Sequence, residues 1–252
     1  MPWFVGTSGW QYRDWRGVLY PVGVPQRSWL ATYAERFPTV EVNNAFYRLP
    51  ERSLFERWRD QTPEGFVMAV KVSRYLTHIR RLRDPAEPVA RLVGRAEGLG
   101  DRLGPYLLQL PPTARADAAL LDACLAEFPA GARVAVEPRH DSWWTDEVRA
   151  TLERRGAALC WADRRGRPQG PLWATAPWGY LRLHQGTAMP PPSYGRRALA
   201  SWIDRCAHAW PAGCDVYVYF NNDPGSAAVR DAIAFTRLAS RRAVDVARPG
   251  AA

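Results

Sequence analysis

FVMAVKVS, residues 66–73, is apolar at six of its eight positions and holds the one lysine of the chain. So unbroken an apolar run reads as a β-strand buried on both faces, as in a parallel sheet covered by helices. Its late position, Lys71, is where such a strand would emerge from the core. The other 33 of the 34 basic residues are arginine. On a solvated face the two cations are nearly equivalent. In a pocket they are not, because lysine is a compact ammonium that can lose its proton and attack.

Working outward, seven further runs repeat the pattern: FVGTSGW (4–10), TVEVNNAFY (39–47), PYLLQLPP (105–112), RVAVEPRH (133–140), AALCWAD (157–163), GYLRLHQ (179–185) and DVYVYFNN (215–222). Helical spacing fills the intervals at 25–37, 51–61, 85–103, 117–128, 145–156, 196–210 and 225–240. Pro25 falls near a first helical position, and Asp117, Thr145 and Ser226 are candidate N-caps. Residues 164–178, rich in Pro and Gly, read as a loop. Strands alternating with helices pair in parallel through right-handed crossovers. The expectation is an α/β fold: an irregular TIM (β/α) barrel of eight parallel strands, with one helix missing or vestigial. Residues 1–252 are expected to form a single domain, with a disordered tail from about 241.

Composition fits a globular chain, with 47% apolar and 23% charged residues over a length of 252. Four scattered cysteines, Cys124, Cys160, Cys206 and Cys214, form no CxxC pair and read as reduced. MPWFVGTSGW lacks the regions of a signal peptide, and no apolar stretch reaches a membrane span. These features predict a soluble cytoplasmic protein without membrane contact. The net charge of +9 favours an anionic ligand.

In a barrel, functional side chains gather at the C-terminal ends of the strands. The late strand positions here carry Ser8, Trp10, Glu41, Asn43, Lys71, Gln109, Glu137, Arg139, Asp163, Arg182, His184, Asn221 and Asn222. Alternation places Glu41 with Asn43, Glu137 with Arg139, and Arg182 with His184 on shared faces. Glu41, Lys71, Glu137, Asp163 and His184 are the candidate catalytic groups. Trp10, Asn43, Tyr47, Gln109, Arg139, Trp143, Arg182, Tyr194, Phe220, Asn221 and Asn222 are candidate substrate contacts.

The bland alternative is a salt-bridge lattice, Glu41 with Lys71 and Glu137 with Arg139, that merely plugs the barrel. The preferred chemistry is hydrolysis of a small phosphate-bearing substrate, two carboxylates dividing into acid and base. A divalent cation on Glu41, Glu137, Asp163 and His184 is a variant of it, weakened by the single histidine. A Schiff base on Lys71 ranks lower, since neighbouring carboxylates would keep the amine charged. Nucleic acid is a third candidate partner, its bases stacking on Trp10, Trp143 or Tyr194. The remaining class is a non-catalytic binding barrel. Oligomeric state is not legible. GTSGW (6–10) lacks the spacing of a nucleotide loop, whereas NNDPGSA (221–227) could present helix-start N–H groups to an anion.

GTSGW (6–10), LYP (19–21), VEVNNAFYRLP (40–50), AVKVSRYLTH (69–78), LGPYLLQLPP (103–112), VEPRHDSWW (136–144), YLRLHQG (180–186) and YVYFNND (217–223) together resemble the YecE-like family, domain of unknown function 72. The resemblance runs from about Val5 to Ala239. It implies a closed, irregular α/β barrel with residues crowded at one mouth, and it implies no established reaction. Asn44-Ala45 and Gln185 depart from the family's usual residues, which bears on local loop shape.

Overall fold

A computed structural model describes residues 2–250. The strands are β1 (Trp3–Ser8), β2 (Thr39–Val42), β3 (Val67–Lys71), β4 (Leu103–Gln109), β5 (Val134–Glu137), β6 (Ala158–Leu159), β7 (Trp161–Arg164), β8 (Arg167–Pro168), β9 (Gly179–Gln185) and β10 (Val216–Phe220). They form one curled sheet in the order β6-β5-β4-β3-β2-β1-β10-β9-β7-β8. All pairs are parallel except β7 with β8, a two-residue antiparallel addition. The count is therefore ten rather than the expected eight. The run at 157–163 is split at Cys160; its first half pairs with β5 and its second half with β9. The 164–178 link contains β8 and no helix.

The helices are α1 (Trp29–Ala34), α2 (Asn44–Tyr47), α3 (Arg52–Asp60), α4 (Ala86–Ala96), α5 (Ala118–Ala126), α6 (Asp146–Arg155), α7 (Arg196–Ala209) and α8 (Ala227–Ser240). Two expected caps are made: the Asp117 and Thr145 side chains accept from Leu120 N and Val148 N. Ser226 does not cap α8. It sits in the left-handed region at φ 58, and its hydroxyl donates to the Asp14 carbonyl at 2.7 Å.

Three predicted elements are shorter than their periodicity suggested. The strand expected over 39–47 stops at Val42, because Asn43 turns into the helical region (φ −91, ψ −18) and α2 follows. Its short amide bonds Ser8 Oγ at 2.8 Å instead of extending the ladder. The helix expected over 85–103 ends at Ala96 and continues as a tight turn broken at Gly100, φ 55. Helix 25–37 keeps only its central turns after a 3₁₀ start at Gln26–Ser28. Past 241, Trp3 N donates to Asp245 O at 2.8 Å and Ala247 N to Trp3 O at 2.9 Å. Ala251 and Ala252, the end of the expected tail, lie outside the described residues. Among those residues no helix is long and apolar enough to cross a membrane.

Strand alternation divides the sheet into two apolar compartments. On the outer face Val5, Val40, Val70, Leu108, Val136, Leu181 and Val218 pack with the helices. On the inner face Ala69, Leu107, Ala135, Ala158, Cys160, Tyr180, Tyr217 and Tyr219 form a separate cluster. Small residues on one side of the interior leave room for the tyrosines from the other. Tyr180 and Tyr219 lie 5.2 Å apart, and Phe4 stacks on Tyr217 at 5.1 Å. The strand ends above this aromatic floor carry the polar residues.

Candidate functional site

Arg182 of β9 organises the polar layer. Its guanidinium is 1% exposed and bridges two strands across the interior: Nη1 reaches Glu137 Oε2 at 2.6 Å and Nη2 reaches Glu41 Oε1 at 2.8 Å. Each carboxylate has further donors. Tyr180 OH donates to Glu41 Oε2 at 2.8 Å and Ser8 Oγ to Oε1, while Gln109 Nε2 donates to Glu137 Oε2 at 2.7 Å. Arg139 adds a bond of 3.2 Å to Glu137 Oε1. Burial would push the Glu137 carboxyl up, but Arg182, then His184 and Arg139, hold it well below the usual carboxylate range. Its partner responds in kind: burial disfavours the Arg182 cation, yet Glu137 and Glu41 bind its proton more tightly than usual. Charges so deep persist only when paired; among the described residues the Arg182 Nε is the one donor of the guanidinium buried without a partner.

His184, two residues along β9, faces the same carboxylate. Its Nε2 lies 3.0 Å from Glu137 Oε1 and its Nδ1 lies 3.0 Å from Asn221 Nδ2. A neutral ring with the proton on Nε2 satisfies both partners. Burial lowers the His184 pKa despite the attraction of Glu137, which agrees with that neutral form.

Lys71 stands apart from these pairings. The lattice imagined from sequence joined it to Glu41; here Arg182 occupies Glu41, and among the described residues no carboxylate lies within ion-pair distance of Lys71. Its Nζ sits 4.0 Å from the centre of the Phe46 ring, a cation–π contact. Burial, reinforced by Arg182 and opposed by Glu41 and Glu137, lowers its pKa to about 8. At that value the ammonium is still the major form at neutral pH, and the neutral fraction grows as pH approaches 8.

Beside the lattice a cavity of about 400 Å³ opens, lined by Arg139, Arg164, Gln169, His184, Gln185 and Asn221. Its wall has two guanidinia and several amides, a donor-rich surface suited to an anion. Asp141 lines it as well, so the surface is not wholly cationic.

Six expected mouth residues are elsewhere. Asp163 belongs to the outer face by alternation from Cys160: it accepts from Tyr194 OH at 2.6 Å and from Trp202 Nε1 at 3.1 Å, under α7. Asn222 and Phe220 share that outer parity. Asn222 donates to Asp231 at 2.7 Å, and Phe220 packs edge-on against Phe235. Trp10 is buried edge-on against Trp58 of α3. Trp143 is buried with its indole N–H on Ala114 O at 2.8 Å. Tyr194 serves Asp163. Of the aromatics proposed to stack bases, Trp10, Trp143 and Tyr194 are thus all enclosed by packing. Tyr47 alone among the named aromatics is exposed, at 80%, beside Asn43 and Asn44 in a neighbouring groove.

With Asp163 turned outward and both glutamates bound to Arg182, the supposed cation site does not assemble. Among the described residues no three His, Cys, Asp or Glu side chains gather closely enough to hold a metal ion.

Sequence reasoning missed two groups. Tyr180 was not among the expected site residues, yet its hydroxyl is a donor to Glu41. Asp223, which opens the turn before α8, was not among them either and makes no side-chain cap. Its Oδ1 is buried without a partner, and burial, with Asp14 and Glu41 adding to it against a Tyr12 hydrogen bond, raises its pKa to about 7. Alternation could have flagged Tyr180, two residues before Arg182; no local signal marks Asp223.

The chain matches the family described as "Protein of unknown function DUF72" over residues 4–252. It is 32% identical over 157 residues to the UPF0759 protein YecE of Escherichia coli K12, covering 60% of this chain and 54% of that one. The chain's match thus spans about half the length of that relative. A DUF72 family crystal structure from Thermotoga maritima superposes with a TM-score of 0.82 at 25% identity, over 95% of this chain and 100% of the other. A second, from Enterococcus faecalis, gives a TM-score of 0.79 at 18% identity, over 94% and 95% of the two chains, a likeness of fold.

Proposed function

We propose that this chain, which belongs to the DUF72 family, is an enzyme acting on a small anionic carbonyl compound, with Lys71 as the reacting group. The observation that carries this reading is the state of Lys71: partly buried against Phe46, free of any described carboxylate, and poised at about 8. A nucleophilic lysine needs its proton removed near neutral pH, and desolvation beside cations supplies that. The neutral amine adds to the carbonyl carbon, its proton passes to the carbonyl oxygen to give a carbinolamine, and a further proton from solvent lets the hydroxyl leave as water and forms the iminium. Arg139, whose charge acts on Lys71, would hold the substrate's carboxylate or phosphate by a bidentate fork. The Glu41–Arg182–Glu137 lattice is the rigid wall that sets the field around the amine.

Phosphoester hydrolysis keeps the anion-binding half of this reading but lacks a free base. Glu41 and Glu137 are both committed to Arg182, and both ring nitrogens of His184 are engaged. We also read the curled sheet as an irregular eight-stranded TIM barrel in one domain, β6 and β7 being a single strand interrupted at Cys160. The support is that β6 pairs with β5 while β7 pairs with β9.

Borohydride reduction of the protein with a panel of 2-oxo acids and phosphorylated aldehydes, followed by peptide mass spectrometry, tests the Lys71 assignment. The expected result is a reduced adduct on the Lys71 peptide that disappears in Lys71→Met. Adducts spread over the N-terminus alone, or none across the panel at pH 7 to 9, would overturn it.

A further inference from the structure

The loops that follow β3 and β4 carry a second basic feature outside the lattice. A groove of about 430 Å³ is lined by Arg81, Arg83 and Arg115 above a floor of Leu110, Ala114 and Trp143. All three arginines are exposed. Their neighbour Arg80 is paired with Asp84 at 2.8 Å, whereas among the described residues Arg81, Arg83 and Arg115 pair with no carboxylate. Asp117 also lines the groove, but one of its oxygens is taken by the α5 N-terminus at Leu120 N, 2.9 Å away. Three unpaired guanidinia facing one concavity repel one another, and an anion between them relieves that cost.

The backbone is shaped to hold them there. Arg81, Leu82 and Asp84 all adopt positive φ, at 50°, 69° and 45°, a region non-glycine residues rarely enter. Leu82 is the anchor of this segment, its side chain buried while Arg81 and Arg83 on either side are exposed. On the opposite wall the Trp143 indole pins the loop through Ala114 O at 2.8 Å, which fixes Arg115 beside it. Pro112 lines the mouth cavity and Thr113 lines the groove, so one loop separates the two.

We propose that this groove is a binding site for the phosphate or pyrophosphate group of a small phosphorylated molecule, clasped by Arg81, Arg83 and Arg115. Guanidinium forks match phosphate oxygens in pairs, and three of them suit a multiply charged group better than a single carboxylate. The claim is independent of the chemistry at Lys71.

The test is calorimetric titration of the full chain with inorganic pyrophosphate, at low and at physiological salt. Arg83→Glu and Arg115→Glu should each weaken binding by about tenfold or more, the size expected for losing a charge-assisted contact. Arg83→Gln and Arg115→Gln serve if the reversals disturb folding. Arg36→Glu, at an exposed arginine just past α1, should bind as the parent does, which separates this site from general surface charge. Absence of saturable binding, or equal binding by the Arg83 and Arg115 variants, overturns the proposal. Stronger binding of a short single-stranded oligonucleotide than of pyrophosphate, falling steeply with salt, also overturns it by making the ligand nucleic acid.

Discussion

Glu137 and Asp163 are two buried carboxylates at the same end of neighbouring parts of one sheet, and they are stabilised by opposite means. Glu137 points inward and is met by cations, with Arg182 at 2.6 Å and Arg139 at 3.2 Å. Asp163 points outward and is met by neutral donors, the Tyr194 hydroxyl and the Trp202 indole. Their titrations diverge accordingly: Glu137 is held well below the usual range, whereas burial raises Asp163 against the pull of its hydrogen bonds. The inner group sits beside a cavity and an unpaired lysine; the outer one is sealed beneath α7. Polarity at a strand end therefore does not by itself mark a pocket. The face decides.

The largest effect is expected of Arg182→Met. It leaves Glu41 and Glu137 buried without their shared counter-charge, and the expected loss is about 3–5 kcal/mol by urea denaturation. Lowering the pH toward 5 should recover part of it, because protonation then removes the stranded charges. A variant as stable as the parent at pH 7 would mean the lattice is solvated and unimportant.

Asp163→Ala strands only neutral donors, so a smaller loss of about 1–3 kcal/mol is expected. Binding of anions at the mouth should be unaffected, and a change there would show that the outer cluster is coupled to the site.

Asp223 adds a pH dependence between the two regions. Its folded pKa of about 7 lies above the unfolded value of about 3.9, so the folded state holds a proton that the unfolded chain has lost. Its contribution is complete below about pH 4 and declines as pH rises to about 7. Asp223→Asn should flatten that decline in a series of denaturation curves. Parallel profiles for parent and variant would show that this carboxyl is not desolvated.

Lys71→Met should matter least for folding, by under about 1 kcal/mol in either direction, since the ammonium has no ion-pair partner to lose. Any catalytic rate should nonetheless vanish with it, and in the parent should rise with pH through a midpoint near 8. A pH-independent rate, or an unchanged one in the variant, would separate Lys71 from the chemistry.

Much of this was legible in the chain because period-two patterning is a local property. The runs at 66–73, 133–140 and 179–185 announced buried strands, and alternation put Glu137 with Arg139 and Arg182 with His184. The break at Asn43 was harder, since residues 39–47 remain strand-like in composition while one side-chain bond to Ser8 redirects the backbone. The identity of Lys71 as the lone lysine could be counted. Its partner could not.

What the sequence determined by itself is the alternation of strands and helices, and which side chains share a face, because neighbours along a strand fix one another's directions. Only the tertiary structure decided that Arg182 takes both glutamates, 45 and 141 positions away in the chain. Which cation reaches which carboxylate depends on how the sheet curls, and no local propensity encodes that closure. The same long-range pairing leaves Lys71 without a counter-ion, so its low pKa is a consequence of packing.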